Sequence, residues 1–144
     1  MEFLGYERPD SSAGIRNHVA VISSGRCANE MAATIADAVP GAVPVIHTHV
    51  CVRLKDDNEK ALRVLTGIGS SPNVAAVIVV GVGCENPSPG KIAGEIARSK
   101  KPVEILTMME SDGFQSFMDQ GQSIARRMVG LYTSVLEGKG VGCR

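Results

Sequence analysis

Four apolar runs alternate with four amphipathic stretches, and this alternation predicts the fold. The first run, His18-Val-Ala-Val-Ile-Ser23, is β-branched on both faces, as expected of a strand buried on two sides. Ala28, Met31, Ala32 and Ile35 then recur at helical spacing until Pro40-Gly41 interrupts them. The second run, Ala42 to His49, contains Pro44, which cannot donate to a ladder. It reads as an edge strand, or as one that begins after the proline. Asp56 and Glu59 form a capping-box pattern ahead of the stripe Ala61, Leu62 and Leu65. The third run, Val74 to Val80, is the most apolar and is expected at the centre of a sheet. Ser88 is placed to cap the next helix, with Pro89 in its first turn and Ile92, Ala93, Ile96 and Ala97 on its inner face. The fourth run, Val103 to Leu106, extends towards Met109. Asp112 and Gln115 resemble a second capping box. The last helix carries Phe114, Phe117, Met118, Gly121, Ile124, Ala125, Met128 and Leu131 on one face.

Strand and helix repeated four times define an α/β fold with parallel strands and right-handed, Rossmann-like crossovers. The expected architecture is a three-layer sandwich around a four-stranded parallel sheet. Edge Pro44 and the very apolar third run give the strand order 2-1-3-4. Residues 1–17 have little periodicity and read as an N-terminal extension. Residues 18–137 form the single α/β domain, and the Gly-rich 138–144 reads as a flexible tail. In such a sheet, ligands bind beyond the carboxyl ends of the strands, here between the first and third.

The length, 144 residues and 15.1 kDa, allows one domain. Apolar residues at 44% and charged residues at 21% fit a globular chain. Fifteen basic residues balance fifteen acidic ones, which argues against nucleic acid as the partner. No apolar stretch approaches the roughly 18 residues of a membrane span. MEFLGYERPD has no signal-peptide pattern, so a cytoplasmic location is expected. The cysteines at 27, 51, 84 and 143 form no C-x-x-C pair, and without an export signal they are expected as thiols.

The reactive residues gather where the topology puts the ligand. Ser23, Ser24, Gly25, Arg26 and Cys27 follow the first strand. His47, His49 and Cys51 end the second. Gly83, Cys84, Glu85 and Asn86 follow the third, and Glu110 and Asp112 follow the fourth. If the second strand continues, His47, His49 and Cys51 share a face. His47 and His49, with Cys84 or Glu85 from the neighbouring loop, can then ligate a divalent metal; the alternative is strand-end structure and a solvated ring. Arg26 suits a carboxylate through a bidentate pair, or is solvated. The loop after the third strand lacks the third glycine of a dinucleotide fingerprint. Its backbone N–H groups can still hold an anion. Cys84 reads as a ligand, an activated thiolate or a small buried side chain. Cys27 is expected to be buried. Arg16-Asn17-His18 falls at the opposite, amino end of the sheet, as strand-entry structure or a contact with a neighbouring domain.

The order of several segments carries a resemblance: Tyr6-Glu-Arg-Pro-Asp10, Gly14-Ile-Arg-Asn-His-Val-Ala-Val-Ile-Ser23, Cys27-Ala-Asn29, His47-Thr-His49-Val-Cys51, Ser71-Pro-Asn-Val-Ala-Ala-Val-Ile-Val-Val-Gly-Val-Gly-Cys-Glu85 and Lys101-Pro-Val-Glu104. Over about residues 5–130 the chain resembles the altronate dehydratase and galactarate dehydratase family, with the sulfolactate sulfo-lyase large subunit as a relative. The resemblance implies a hydro-lyase domain acting on a small hydroxy acid, a sugar acid of altronate or galactarate type, to give a 2-keto-3-deoxy acid. It also implies a divalent metal, iron(II) first, with manganese or zinc as alternatives. The expected site has Glu85 and His49 as proton-handling groups, Ser24, Arg26 and Asn29 as substrate-binding residues, and His47, His49 and Cys84 as metal ligands. The family's chain is longer, so a C-terminal domain or companion subunit is the expected partner, and a homo-oligomer is compatible. A sulfo-lyase-type subunit and a non-catalytic binding or assembly module stand as alternatives. The second follows from Met109-Glu-Ser-Asp-Gly-Phe114, where the family often has a Gly-rich turn.

Overall fold

The structure, a computed structural model, describes residues 2–49, 54–133 and 139–142. Its strands are β1 (Glu2–Glu7), β2 (Ala13–Gly14), β3 (His18–Ser23), β4 (Ala42–Val45), β5 (Val74–Gly81), β6 (Val103–Thr107) and β7 (Lys139–Gly142). Its helices are α1 (Asn29–Asp37), α2 (Lys55–Gly69), α3 (Pro89–Ala97) and α4 (Phe114–Tyr132).

The parallel sheet is ordered β4-β3-β5-β6, so the four apolar runs lie in the order second, first, third, fourth. All eight residues of β5 are buried, as a central strand between two helical layers requires. Successive side chains of β3 and β5 divide between the two faces. Val19, Val21, Ala76, Ile78 and Val80 pack under α1 and α4 with Ile35, Phe117, Ala125 and Met128. Ala20, Ile22, Val77 and Val79 pack under α2 and α3 with Leu65, Ile92 and Ile96. Each fully buried Val or Ile contributes about 1.5–3 kcal/mol relative to exposure, so these two clusters hold the three layers together.

Strand β4 includes Pro44 and forms one edge, opposite Val21 of β3. Its missing N–H is harmless there. Ser88 caps α3, its Oγ accepting from the Lys91 N–H at 3.2 Å, with Pro89 in the first turn. The two expected capping boxes do not form. Leu54 precedes α2 in extended backbone, so Asp56 lies inside the first turn, where its charge still suits the helix dipole. Gly113, at φ 92°, precedes α4 in place of Asp112. Phe114 and Leu131 are exposed at the two ends of α4, and Ala97 is exposed at the end of α3, beyond the reach of the sheet.

Residues 2–17 and 139–142 are more ordered than their composition suggests. Strand β1 pairs antiparallel with β2 and with β7, giving a second sheet in the order β2-β1-β7. Residues 139–142 of the expected flexible tail therefore form a strand, and Cys143 lies outside the described residues. Arg8 joins this segment to the amino end of the main sheet. Its guanidinium donates to the Pro72 carbonyl at 2.7 Å, to Asn17 Oδ1 at 2.8 Å and to the Arg16 carbonyl at 3.0 Å. Asn17 Nδ2 in turn donates to the Tyr132 carbonyl. Arg16-Asn17-His18 is thus strand-entry structure. No described helix is long and apolar enough to cross a membrane.

Candidate functional site at the carboxyl edge of the sheet

Three loops meet beyond the carboxyl ends of β3, β4 and β5. The backbone after β4 leaves the strand at Val45, so His47 and His49 are not strand residues with a common face. They belong to a loop folded across the end of β3. The Arg26 N–H donates to the His49 carbonyl at 2.9 Å. Asn29 grips His47 at both main-chain groups, Nδ2 donating to its carbonyl at 2.7 Å and Oδ1 accepting from its N–H at 3.4 Å. The Asn29 amide, expected to face a substrate, is a clamp on this loop.

The His47 ring is also engaged. Its Nε2 lies 3.0 Å from the Ser23 carbonyl, which can only accept, and its Nδ1 lies 3.3 Å from the His49 N–H, which can only donate. The ring is therefore the neutral Nε2–H tautomer, with both nitrogens committed to the loop. The exposed His49 ring lies beside it, with centroids 5.3 Å apart. Cys84 and Cys27 are exposed free thiols, Cys27 contrary to the buried position expected of it. Among the described residues no three His, Cys, Asp or Glu side chains converge as a metal-holding group. His47, His49 and Cys84 thus do not fit a metal in this arrangement, because one ring has no free lone pair and the thiol does not join the pair. Cys51 lies outside the described residues.

Glu85 turns back into the loop that follows β5. Its two carboxylate oxygens accept from the Val82 N–H at 2.5 Å and from the Gly83 N–H at 2.7 Å, and the residue is 6% exposed. Burial pushes its pKa up. The Val82, Gly83 and Glu85 amides and the neighbouring Ser24 hydroxyl more than offset this and hold it below the ordinary carboxylate value. The backbone N–H groups expected to hold an anion do hold one, supplied by the chain itself. Gly83, at φ +124°, lets the loop turn tightly enough to aim both amides at one carboxylate. Ser24 is fully buried beneath this loop, and its N–H donates to the Val80 carbonyl at 2.9 Å.

Ser24 thus stands beside Glu85, while Ser23 and Arg26 hold His47 and His49. The loops after β4 and β5 both close on the end of β3, as the reach of an inner strand pair requires. The Arg26 side chain is exposed at the junction. Glu110 and Asp112 line an acidic cleft of about 740 Å³ with Asp119 at the start of α4. The sequence offers no sign of Asn29's grip on the main chain. A side-chain amide that closes a loop looks, in the sequence, the same as one that faces a ligand.

A parallel α/β sheet whose titratable groups gather at the switch between β3 and β5 has the architecture that binds small molecules at that edge. Residues 5–132 match the family described as D-galactarate dehydratase/Altronate hydrolase, second domain, and the chain belongs to that family. It is 35% identical over 135 residues to the (2R)-sulfolactate sulfo-lyase subunit beta of Chromohalobacter salexigens, covering 94% of this chain and 34% of that protein. It is 26% identical over 141 residues to the altronate dehydratase of Bacillus subtilis, covering 88% of this chain and 27% of that one. The altronate dehydratase of Escherichia coli is 31% identical over 91 residues, which is 56% of this chain and 18% of that protein. The chain thus spans about a third or less of the curated relatives it matches. No solved structure matches it.

Proposed function

We propose that this chain supplies the second domain of a lyase that dehydrates a sugar acid of altronate or galactarate type. Family membership across residues 5–132 carries this reading. In the elimination, a base takes the proton beside the carboxylate, the C–O bond at the next carbon breaks, and the oxygen leaves as water with a proton. The enol left behind becomes a 2-keto-3-deoxy acid. Glu85, ionised and held in its loop, and the exposed His49 are the proton-handling groups in this reading. Arg26 is the cation for the substrate carboxylate. The divalent metal implied by the resemblance lacks a fitting donor set among the described residues, and the chemistry assigned to these side chains does not pass through it.

The 35% identity to a sulfo-lyase subunit favours a second reading, in which the same proton abstraction expels sulfite from a sulfonated hydroxy acid. In both readings the remainder of the catalytic unit comes from a further domain or a companion subunit. Assays of the assembled enzyme with altronate, galactarate and sulfolactate separate them: 2-keto-3-deoxy acid from a sugar acid supports the first, and sulfite release supports the second. Turnover of none of the three overturns both. In the active assembly, Glu85→Gln is expected to lower turnover roughly 10²–10⁴-fold.

A further inference from the structure

A carboxylate held by two adjacent backbone N–H groups occupies what is, in chemical terms, an anion pocket. Val82 N–H and Gly83 N–H point at the two oxygens of Glu85 from 2.5 and 2.7 Å. Ser24 adds a third donor. Its residue is fully buried, and its Oγ makes no well-formed hydrogen bond but lies beside the Glu85 carboxylate, whose charged form it favours. The pocket floor is cut to fit. A methyl group on Gly81 would lie 2.7 Å from Ser24 Oγ and 3.3 Å from Glu85 Oε1, and would collide with the Pro89 ring. The absent side chain at Gly81 therefore leaves the space that the carboxylate and the hydroxyl share.

We propose that the Val82 and Gly83 amides with the Ser24 hydroxyl form a carboxylate-binding pocket, in which Glu85 is a tethered occupant that a free carboxylate can replace. Three neutral donors in a buried site favour a planar anion with two oxygens. A phosphate or sulfate would bring a third or fourth oxygen with no donor to meet it. In the native chain the tether gives Glu85 a high effective concentration, so external carboxylates compete poorly. A free carboxylate entering the pocket would release the Glu85 side chain from its loop.

Removing the tethered occupant tests the pocket without any assay of activity. In Glu85→Ala, acetate or formate at 10–100 mM, a range of about tenfold, is expected to raise the melting temperature progressively, as ligand binding to the folded state requires. The native chain and Glu85→Gln, whose side-chain amide still fills the space, should show no such rise at matched ionic strength. Sulfate at equal ionic strength is the control for general salt effects and should not substitute for acetate. Adding Ser24→Ala to Glu85→Ala should weaken the acetate response several-fold. If Glu85→Ala does not fold alone, refolding it with formate present should recover native circular dichroism. Equal responses in all variants, a matching response to sulfate, or a Glu85→Ala chain that stays unfolded at every formate concentration would overturn the proposal.

Discussion

Asn29 and His47 show how much a single side chain can fix. Asn29 contributes two hydrogen bonds to the main chain of a loop that has no ladder of its own. Asn29→Ala is expected to destabilise the fold by about 1–2 kcal/mol and to increase hydrogen exchange at the His47 and His49 amides. Unchanged exchange there would show that the grip is incidental. Glu85 gives a pH dependence of definite sign. Its pKa is lower in the folded chain than in the unfolded one, so its contribution is fully present above the ordinary carboxylate value and is lost as pH falls through the folded value. Acid unfolding of Glu85→Gln should accordingly be shallower than that of the native chain, measured by fluorescence-independent circular dichroism because the chain has no Trp. At this scale the sequence was only partly legible. The placement of Ser24, Arg26, His49 and Glu85 at the carboxyl edge was readable from their position after a strand. The commitment of both His47 nitrogens, and the use of Asn29 on main chain, depend on a loop path that no residue pattern encodes.

Elements were legible where burial dictates pattern. β5 is apolar throughout because both of its faces are covered, and the Ser88-Pro89 start of α3 uses a cap that acts within one turn. Asp56 and Asp112 failed as caps because the backbone entered the helix at Leu54, two residues before the first, and at Gly113, one residue after the second. β1 and β2 were missed because a short strand outside the main core needs no strict alternation. Lys101 shows what such patterns cannot reveal. It is 5% exposed, and its Nζ donates to the Ser71 and Gly69 carbonyls at the carboxyl end of α2, where a cation suits the helix dipole. Burial, with the nearby Arg8 charge, lowers its pKa to about 8. Below about pH 8 the folded state carries the full penalty of the buried ammonium. Between about pH 8 and the ordinary value of 10.5 the unfolded chain binds more protons, and stability rises with pH. The rise is expected to be on the order of 2–3 kcal/mol, and Lys101→Met should remove it from denaturant titrations run at pH 7, 9 and 10.5.

The whole molecule divides its work between the two ends of one sheet. Arg8, Asn17, Asn73 and Lys101 fasten the amino end, with Asn73 Oδ1 accepting from the Ile15 and Arg16 N–H groups. Ser24, His47, His49 and Glu85 gather at the carboxyl end. Between them run the six residues of β3, about 17 Å at roughly 3.3 Å per residue. Arg8→Ala would leave the Pro72 and Arg16 carbonyls and the Asn17 amide oxygen without their donor, so a loss of roughly 2–3 kcal/mol is expected. If the ends are independent, Arg8→Ala and Asn29→Ala should add to within about 0.5 kcal/mol in the double variant, because neither shares a partner with the other. The acetate response of Glu85→Ala should likewise survive the addition of Arg8→Ala, with only the baseline melting temperature lowered. A coupling above about 1 kcal/mol, or a lost acetate response in a chain that is still folded, would show instead that the fastening at the amino end sets the geometry of the loops at the other. In that case the N-terminal strands would be part of the site's machinery.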